Sequence, residues 1–275
     1  MSSRPVDRLA SDALAGPNLG RRFWVAGAPA HSRPTTSYPH MLSILMPVYN
    51  ERERVERAIA EVLDTPLPTE FELIVVDDGS TDGTREILRG SNFDGRVRLF
   101  EHPENRGKGA AVQTALGHAE GEFAAIFDAD LEYDPTDLGL LMPPLLDGRA
   151  NACFGVRAFD GYTSHSFLFV LGNKGVTFAC NVLFNVYLHD IMTCHKMIRT
   201  DLFRSLPLRS PGFAIEPEIT ARLVQRGERI FEVPVHYRAR ATEEGKKLTA
   251  VDGFRVLGTL VRCRLDGNHG PDTRA

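Results

Sequence analysis

"FELIVVDDGSTDGTREILRG", residues 71–90, decides the fold. Phe71 to Val76 is an apolar run interrupted only by Glu72, and it reads as a strand. Asp77, Asp78, Gly79 and Ser80 end it, and the stretch from Thr81 to Gly90 opens a helix with Asp or Thr as N-cap. The same alternation extends in both directions. "MLSILMPVY" (41–49) is a short apolar strand, and "NERERVERAIAEVLDT" (50–65) follows with Val55, Ile59 and Val62 at helical spacing. "VRLFEHP" (97–103) is a third strand, "NRGKGAAVQTALGHAEG" (105–121) a Gly-started, Ala-rich helix, and "EFAAIFDAD" (122–130) a fourth strand. Strand and helix alternating at this spacing predict βαβ units and a parallel sheet covered on both faces. Ligands of such sheets gather beyond the carboxyl ends of the strands. "MPVYNE", "VVDDGS" and "FDAD" all sit at such ends, so three polar motifs point to one rim.

Composition narrows the partners. A length of 275 residues allows one large domain or two small ones. A net charge of −4 is too small to suggest nucleic acid or an acidic polymer. Cys153, Cys180, Cys194 and Cys263 are far apart without a C-x-x-C pair, which argues against structural zinc and fits a reduced, cytoplasmic setting. No stretch approaches the ~20 apolar residues that span a bilayer. Residues 1–40, rich in Pro, Gly, Ser and Arg, are expected to be disordered or loosely attached, and residues 266–275 to form a disordered tail.

Each rim motif has a chemical and a plain reading. Asp77 and Asp78 could accept hydrogen bonds from a ribose or a base, or one of them could cap the next helix. "NRGKG" sets Arg106 and Lys108 beside two glycines at a helix N-terminus, which suits an anion, yet it is not a Walker loop. Asp128 and Asp130 flank a small residue. In an extended stretch, residues two apart point the same way, so both carboxylates could reach one hard divalent ion while a diphosphate fills other positions. His195, without a second His or Cys at ligand spacing, is expected to pack rather than to bind metal.

"ILMPVYNE", "LIVVDDGSTDGT", "ENRGKGAAV" and "FDADLEYDP", in this order and spacing, resemble a family 2 glycosyltransferase of the GT-A fold. The resemblance covers residues 41–265 and implies a single α/β domain, a Rossmann-like, mostly parallel sheet flanked by helices. "GVRAFDG", "DIMTCHKMIRTDLF", "GFAIEPEITARLVQRGERIFEVPVHYRAR" and "EEGKKLTAVDGFRVL" resemble the polyprenyl-phosphate (dolichol-phosphate) sugar transferase branch. The resemblance implies roles by position. Pro47, Tyr49 and Glu51 match a first-strand loop that holds the nucleotide. Asp78, with its neighbour Asp77, matches an acidic residue that binds base or ribose. Asp128 and Asp130 match the pair that binds Mg²⁺ or Mn²⁺ against the donor diphosphate. Arg157 matches a basic residue near an acceptor phosphate. Arg240, Lys246 and Lys247 match a basic segment that closes over the donor. Glu216 and Glu218 match carboxylates opposite the sugar, although first-turn acids also favour a helix N-terminus.

The implied reaction is inverting transfer of a hexose from a nucleotide-diphosphate sugar, GDP-mannose, UDP-glucose or UDP-GlcNAc, to a polyprenyl phosphate. The alternative is a family 2 enzyme that acts on a hydroxyl of a small metabolite or glycan. A non-catalytic nucleotide-sugar-binding module is disfavoured, because both Asp128 and Asp130 are present. A phosphate acceptor needs positioning by Arg, whereas a hydroxyl needs a general base, with Glu216, Glu218, Asp130 and Asp160 as candidates. The expected location is cytoplasmic, at the inner face of the membrane, with the apolar stretch Phe167 to Leu188 serving as core or as the lipid-facing surface.

Overall fold

The computed structural model describes residues 41–157, 167–238 and 250–267. The expected extension over 1–40 lies outside the described residues, as do 268–275 of the expected tail, Asp160, Arg240, Lys246 and Lys247. Strands β1 (Leu42–Val48), β2 (Phe71–Asp77), β3 (Val97–Glu101) and β4 (Phe123–Ile126) alternate with α1 (Val55–Asp64), α2 (Thr84–Gly90) and α3 (Lys108–His118), in the order read from the sequence. Two short helices, α4 (Leu138–Leu141) and α5 (Pro143–Leu146), precede β5 (Ala152–Arg157) and α6 (Phe167–Phe184). Then come β6 (Lys196–Arg199), α7 (Thr200–Ser205), α8 (Ile215–Gln225), β7 (Ile230–Val235) and α9 (Ala250–Leu265).

The strands form one sheet in the order β3-β2-β1-β4-β6-β5-β7. β1 lies parallel between β2 and β4, with Leu42 opposite both Phe71 and Phe123. All of β2 and all of β1 except Pro47 is buried, which explains why their sequences are apolar nearly throughout instead of alternating. The amphipathic helix α1 buries Val55, Ala58, Ile59 and Val62 against this sheet, at the three- and four-residue spacing of one helical face. The chain moves outward from β1 to β3, then returns to place β4 on the other side of β1. In open α/β sheets such a reversal marks the crevice beyond the strand ends in which ligands bind, here the ends of β1 and β4.

The sheet is mostly parallel, as expected, and β6 alone of its seven strands runs antiparallel to its neighbours, β4 and β5. One feature departs from the sequence expectation. β4 ends at Ile126, four residues short of the expected end. Phe127 still donates its N–H to the Leu45 oxygen of β1 at 3.0 Å, and the chain then turns, with Leu131 in the left-handed region at φ 63°. Asp128 and Asp130 therefore sit in a turn, and strand alternation does not orient them.

Glycine sets the approach of the second half to the first. Gly107 has φ 94°, and a Cβ there would lie 2.6 Å from the Pro211 carbonyl oxygen. At Gly109 a Cβ would lie 2.2 Å from the Ser210 oxygen. Only glycine lets the α7–α8 connection pass so close to the start of α3. The Ala110 N–H donates to the Pro211 oxygen at 3.0 Å, which locks the contact. The start of α8 is thereby carried to the start of α3.

Helices α6, α8 and α9 share a second apolar core around Cys180, Ala221, Val256, Leu260 and Cys263. The opposite face of α6 leaves Leu171, Phe178 and Val182 exposed, so the apolar stretch is core on one side only. Among the described residues no helix is long and apolar enough to cross a membrane.

Candidate active site

Lys108, the first residue of α3, is the hub of the rim. Its Nζ lies 2.7 Å from Asp128 Oδ2, just beyond β4, and 2.5 Å from Glu216 Oε1, in the first turn of α8. Burial disfavours the ammonium charge, but Asp128 and Glu216 outweigh it and hold Lys108 above the usual lysine range. Glu216 is buried, and burial raises its carboxyl above the usual range against the opposing pull of Lys108. Its second oxygen, Oε2, is buried and has no hydrogen-bond partner. An orphaned carboxylate oxygen in a protein interior is costly, and the cost is explained when a ligand supplies the missing partner.

The cluster is made of hard oxygens and carries one ammonium for two carboxylates. That donor set suits Mg²⁺ or Mn²⁺. Among the described residues no group of three or more His, Cys, Asp and Glu is arranged to hold a metal ion. The remaining coordination positions would fall to diphosphate oxygens and water. Asp130 accepts the Glu132 N–H at 3.1 Å, which ties its carboxylate to its own turn.

Other expected residues go elsewhere. Asp78 is buried at the end of β2, where its carboxylate accepts the N–H groups of Arg106 at 2.9 Å and Gly107 at 2.7 Å and lies 2.6 Å from His102 Nδ1. It shapes the loop that presents Lys108. His102 in turn reaches Thr114 Oγ1 on α3 at 2.9 Å. Asp77 pairs with Arg85 Nε at 2.7 Å and accepts the Ser80 N–H at 3.2 Å, pinning the turn into α2. Tyr49 is exposed beyond β1, and Pro47 is half-buried within it. Glu51 caps its neighbourhood through its own N–H to Thr84 Oγ1 at 2.9 Å and an ion pair to Arg54 at 3.3 Å.

Glu218 is fully buried but does not join Lys108. Its Oε2 accepts the N–H groups of Arg209 at 3.0 Å and Ser210 at 2.6 Å, and its Oε1 meets Arg262 of α9 at 3.0 Å. It braces the α7–α8 connection, the segment that the glycines of α3 admit. Arg157 is also buried. It makes a two-pronged pair with Asp190, at 2.7 Å through Nε and 2.9 Å through a terminal nitrogen, and reaches Asn173 at 3.3 Å. His195 packs edge-on against Phe127, 5.3 Å between ring centroids, and against Tyr133 at 4.4 Å. Burial lowers its pKa to about 4. Sequence reasoning missed the partnership of Lys108 with Glu216, the relay through His102, and Asp190. Asp190 stood in a quoted motif, but nothing local marks it as a partner for Arg157.

Comparison with known proteins names the family. The pattern of Glycosyl transferase family 2 matches residues 43–206. The chain belongs to glycosyl transferase family 2. It is therefore a glycosyltransferase, as the rim motifs led us to expect. Among its family relatives, the glycosyltransferase AglJ of Haloferax volcanii is 29% identical over 233 residues, covering 84% of this chain and 74% of that protein. The dodecaprenyl-phosphate galacturonate synthase of Rhizobium johnstonii is 30% identical over 231 residues, covering 80% of this chain and 65% of that protein. A solved structure of glucosyl-3-phosphoglycerate synthase from Mycobacterium tuberculosis, in complex with phosphoglyceric acid, superposes with a TM-score of 0.64 at 23% identity, over 86% of this chain and 82% of that one. The shared fold establishes the GT-A architecture.

The expected polyprenyl phosphate acceptor has to be corrected. Solved structures that share the fold include a glucosyl-3-phosphoglycerate synthase crystallised with a small molecule, phosphoglyceric acid, rather than with a lipid phosphate. Arg157, to which the acceptor phosphate was assigned, has its guanidinium committed to Asp190 and Asn173 inside the protein.

Proposed function

We propose that the protein is a metal-dependent family 2 glycosyltransferase that moves a hexose from a nucleotide-diphosphate sugar to a hydroxyl of a small metabolite or glycan. The observation that carries this reading is the Asp128–Lys108–Glu216 cluster, with its orphaned Glu216 oxygen, at the crevice beyond β1 and β4. The Mycobacterium tuberculosis synthase has been solved with Mn²⁺, UDP-glucose and phosphoglyceric acid, and with Mg²⁺ and UDP. Those complexes support a divalent ion and a nucleotide-sugar donor here.

Asp128 and Asp130 would hold the ion, which when bound supplies positive charge to the departing diphosphate. Lys108, at the N-terminus of α3, adds a cation and a helix dipole on the same side of the donor. Asp78 keeps the 105–107 loop in place and so fixes the height of Lys108 in the crevice. A hydroxyl acceptor needs a group to receive its proton. Of the described candidates, Glu216 has both a free oxygen and a carboxyl raised toward neutral, the direction a base working near pH 7 requires. Glu218 has no oxygen to spare. Attack from the face opposite the diphosphate gives inversion.

The test is a panel of UDP- and GDP-sugars against soluble hydroxyl acceptors, phosphorylated and neutral, with Mg²⁺ or Mn²⁺, read by mass spectrometry. Metal-dependent product on a soluble acceptor is expected. Undiminished activity in EDTA, or no transfer to any hydroxyl despite donor binding, would contradict the proposal.

A further inference from the structure

We infer that Lys108 is a built-in counter-cation, which keeps the metal position closed until a nucleotide diphosphate draws the ammonium away. The inference rests on the metal-dependent reading above and adds an order of assembly to it. The Lys108 ammonium occupies Asp128 Oδ2 at 2.7 Å and Glu216 Oε1 at 2.5 Å. Its side chain is only 12% exposed, so it does not swing freely in water. Asp128 is the expected metal ligand that it touches. A divalent ion on the same oxygen would stand within a few ångströms of the ammonium, and two cations that close repel strongly where water screens them poorly. The ion and the ammonium therefore compete for Asp128.

The chain is built to keep Lys108 in that place. Gly107 and Gly109 admit the 210–212 backbone, the Pro211 oxygen receives the Ala110 N–H, and Glu218 holds the Arg209 and Ser210 N–H groups. Together they press the α8 start, with Glu216, onto the ammonium. What can relieve the competition is an anion at the same helix N-terminus. A diphosphate offers Lys108 a stronger partner than Asp128 and offers the ion further oxygens. Release of Asp128 and arrival of the ion then reinforce one another. Nucleotide and metal bind cooperatively, and each raises the other's affinity by the same factor. Lys108 is a positioning residue in this scheme, distinct from a simple phosphate contact, because it acts before the donor arrives.

The test is Mn²⁺ binding to the full chain by electron paramagnetic resonance, with and without UDP or GDP. Wild type should bind Mn²⁺ weakly alone and at least ~10-fold more tightly with one of the nucleotides. Lys108→Met should bind Mn²⁺ alone at least ~10-fold more tightly than wild type, about 1.4 kcal/mol. Its gain from nucleotide should shrink. Lys108→Arg, which retains the charge, should keep the weak wild-type affinity. Lys108→Gln serves in place of the Met variant if circular dichroism shows the latter unfolded. A phosphate contact alone would leave nucleotide-free Mn²⁺ affinity unchanged in Lys108→Met, and that result overturns the inference while leaving the proposed function standing. Equal Mn²⁺ affinity of wild type with and without nucleotide overturns it too. No Mn²⁺ binding by wild type with either nucleotide removes the metal reading itself, and this inference with it.

Discussion

Glu216 and Glu218 stand two residues apart in the first turn of α8, both buried, yet their surroundings are opposite. Glu218 is saturated by two backbone N–H groups and Arg262. Glu216 shares one oxygen with Lys108 and leaves the other without a partner. A buried carboxylate whose every lone pair is used holds structure together, and removing its partners is costly. A buried carboxylate with an idle oxygen costs the fold stability, and it makes sense where a substrate completes it. The difference separates scaffold from working surface within a single helical turn. Arg157 with Asp190 and Asp78 with its loop belong on the scaffold side of that division, and Asp128 with Lys108 on the other.

The largest test of the division is on the scaffold side. Asp190→Ala leaves the Arg157 guanidinium buried without its main partner and should cost about 3–5 kcal/mol of stability. Thermal or urea denaturation reads it, and an unchanged midpoint would mean the pair is dispensable. On the working side, Asp128→Asn should reduce turnover by about 100-fold or more, roughly 2.7 kcal/mol of lost charge stabilisation, while the denaturation midpoint stays near wild type. A parallel fall in both would erase the distinction.

His195 sharpens the rule, because both of its ring nitrogens lack partners although it packs among Phe127 and Tyr133. Burial lowers its pKa from the ordinary imidazole value near 6.5 to about 4. The folded chain therefore resists the proton that the unfolded chain accepts. The stability linked to this group is complete above about pH 6.5 and is lost as pH falls through about 4, to the extent of about 3 kcal/mol. His195→Phe should flatten the acid limb of a stability-versus-pH curve by up to that amount. If the slope between pH 7 and 4 is the same in both proteins, the ring is not held neutral by burial.

Much of the first half was legible because its signals are local. The β1–α1–β2–α2–β3–α3–β4 series follows from apolar runs punctuated by Gly and Asp, and the rim follows from where those runs stop. β6 was not legible: its four residues, "KMIR", are too few to show a period, and its antiparallel pairing depends on partners in β4 and β5. The end of β4 was missed because Phe127, still bonded to Leu45, and Ala129, already in the turn, are both as buried as strand residues. Glu216 and Glu218 looked equivalent in sequence. In a helix, positions two apart point about 200° away from each other, so one meets α3 and the other meets α9. Lys108 was read as an anion contact at a helix start, and its carboxylate partners come from residues 20 and 108 positions away along the chain. Arg157 and Asp190 are 33 apart, and no periodicity links them.

The contrast within α8 is tested most directly by measuring turnover and denaturation midpoint side by side for Glu216→Gln and Glu218→Gln. Glu216→Gln should lose activity about 10-fold or more, the scale of a general-base contribution at its low end, and keep its midpoint within about 1 kcal/mol. Glu218→Gln should lose about 1–3 kcal/mol of stability as its charged contacts weaken, and the protein that remains folded should turn over at close to the wild-type rate. Loss of stability without loss of turnover in Glu216→Gln, or loss of turnover without loss of stability in Glu218→Gln, would contradict the account.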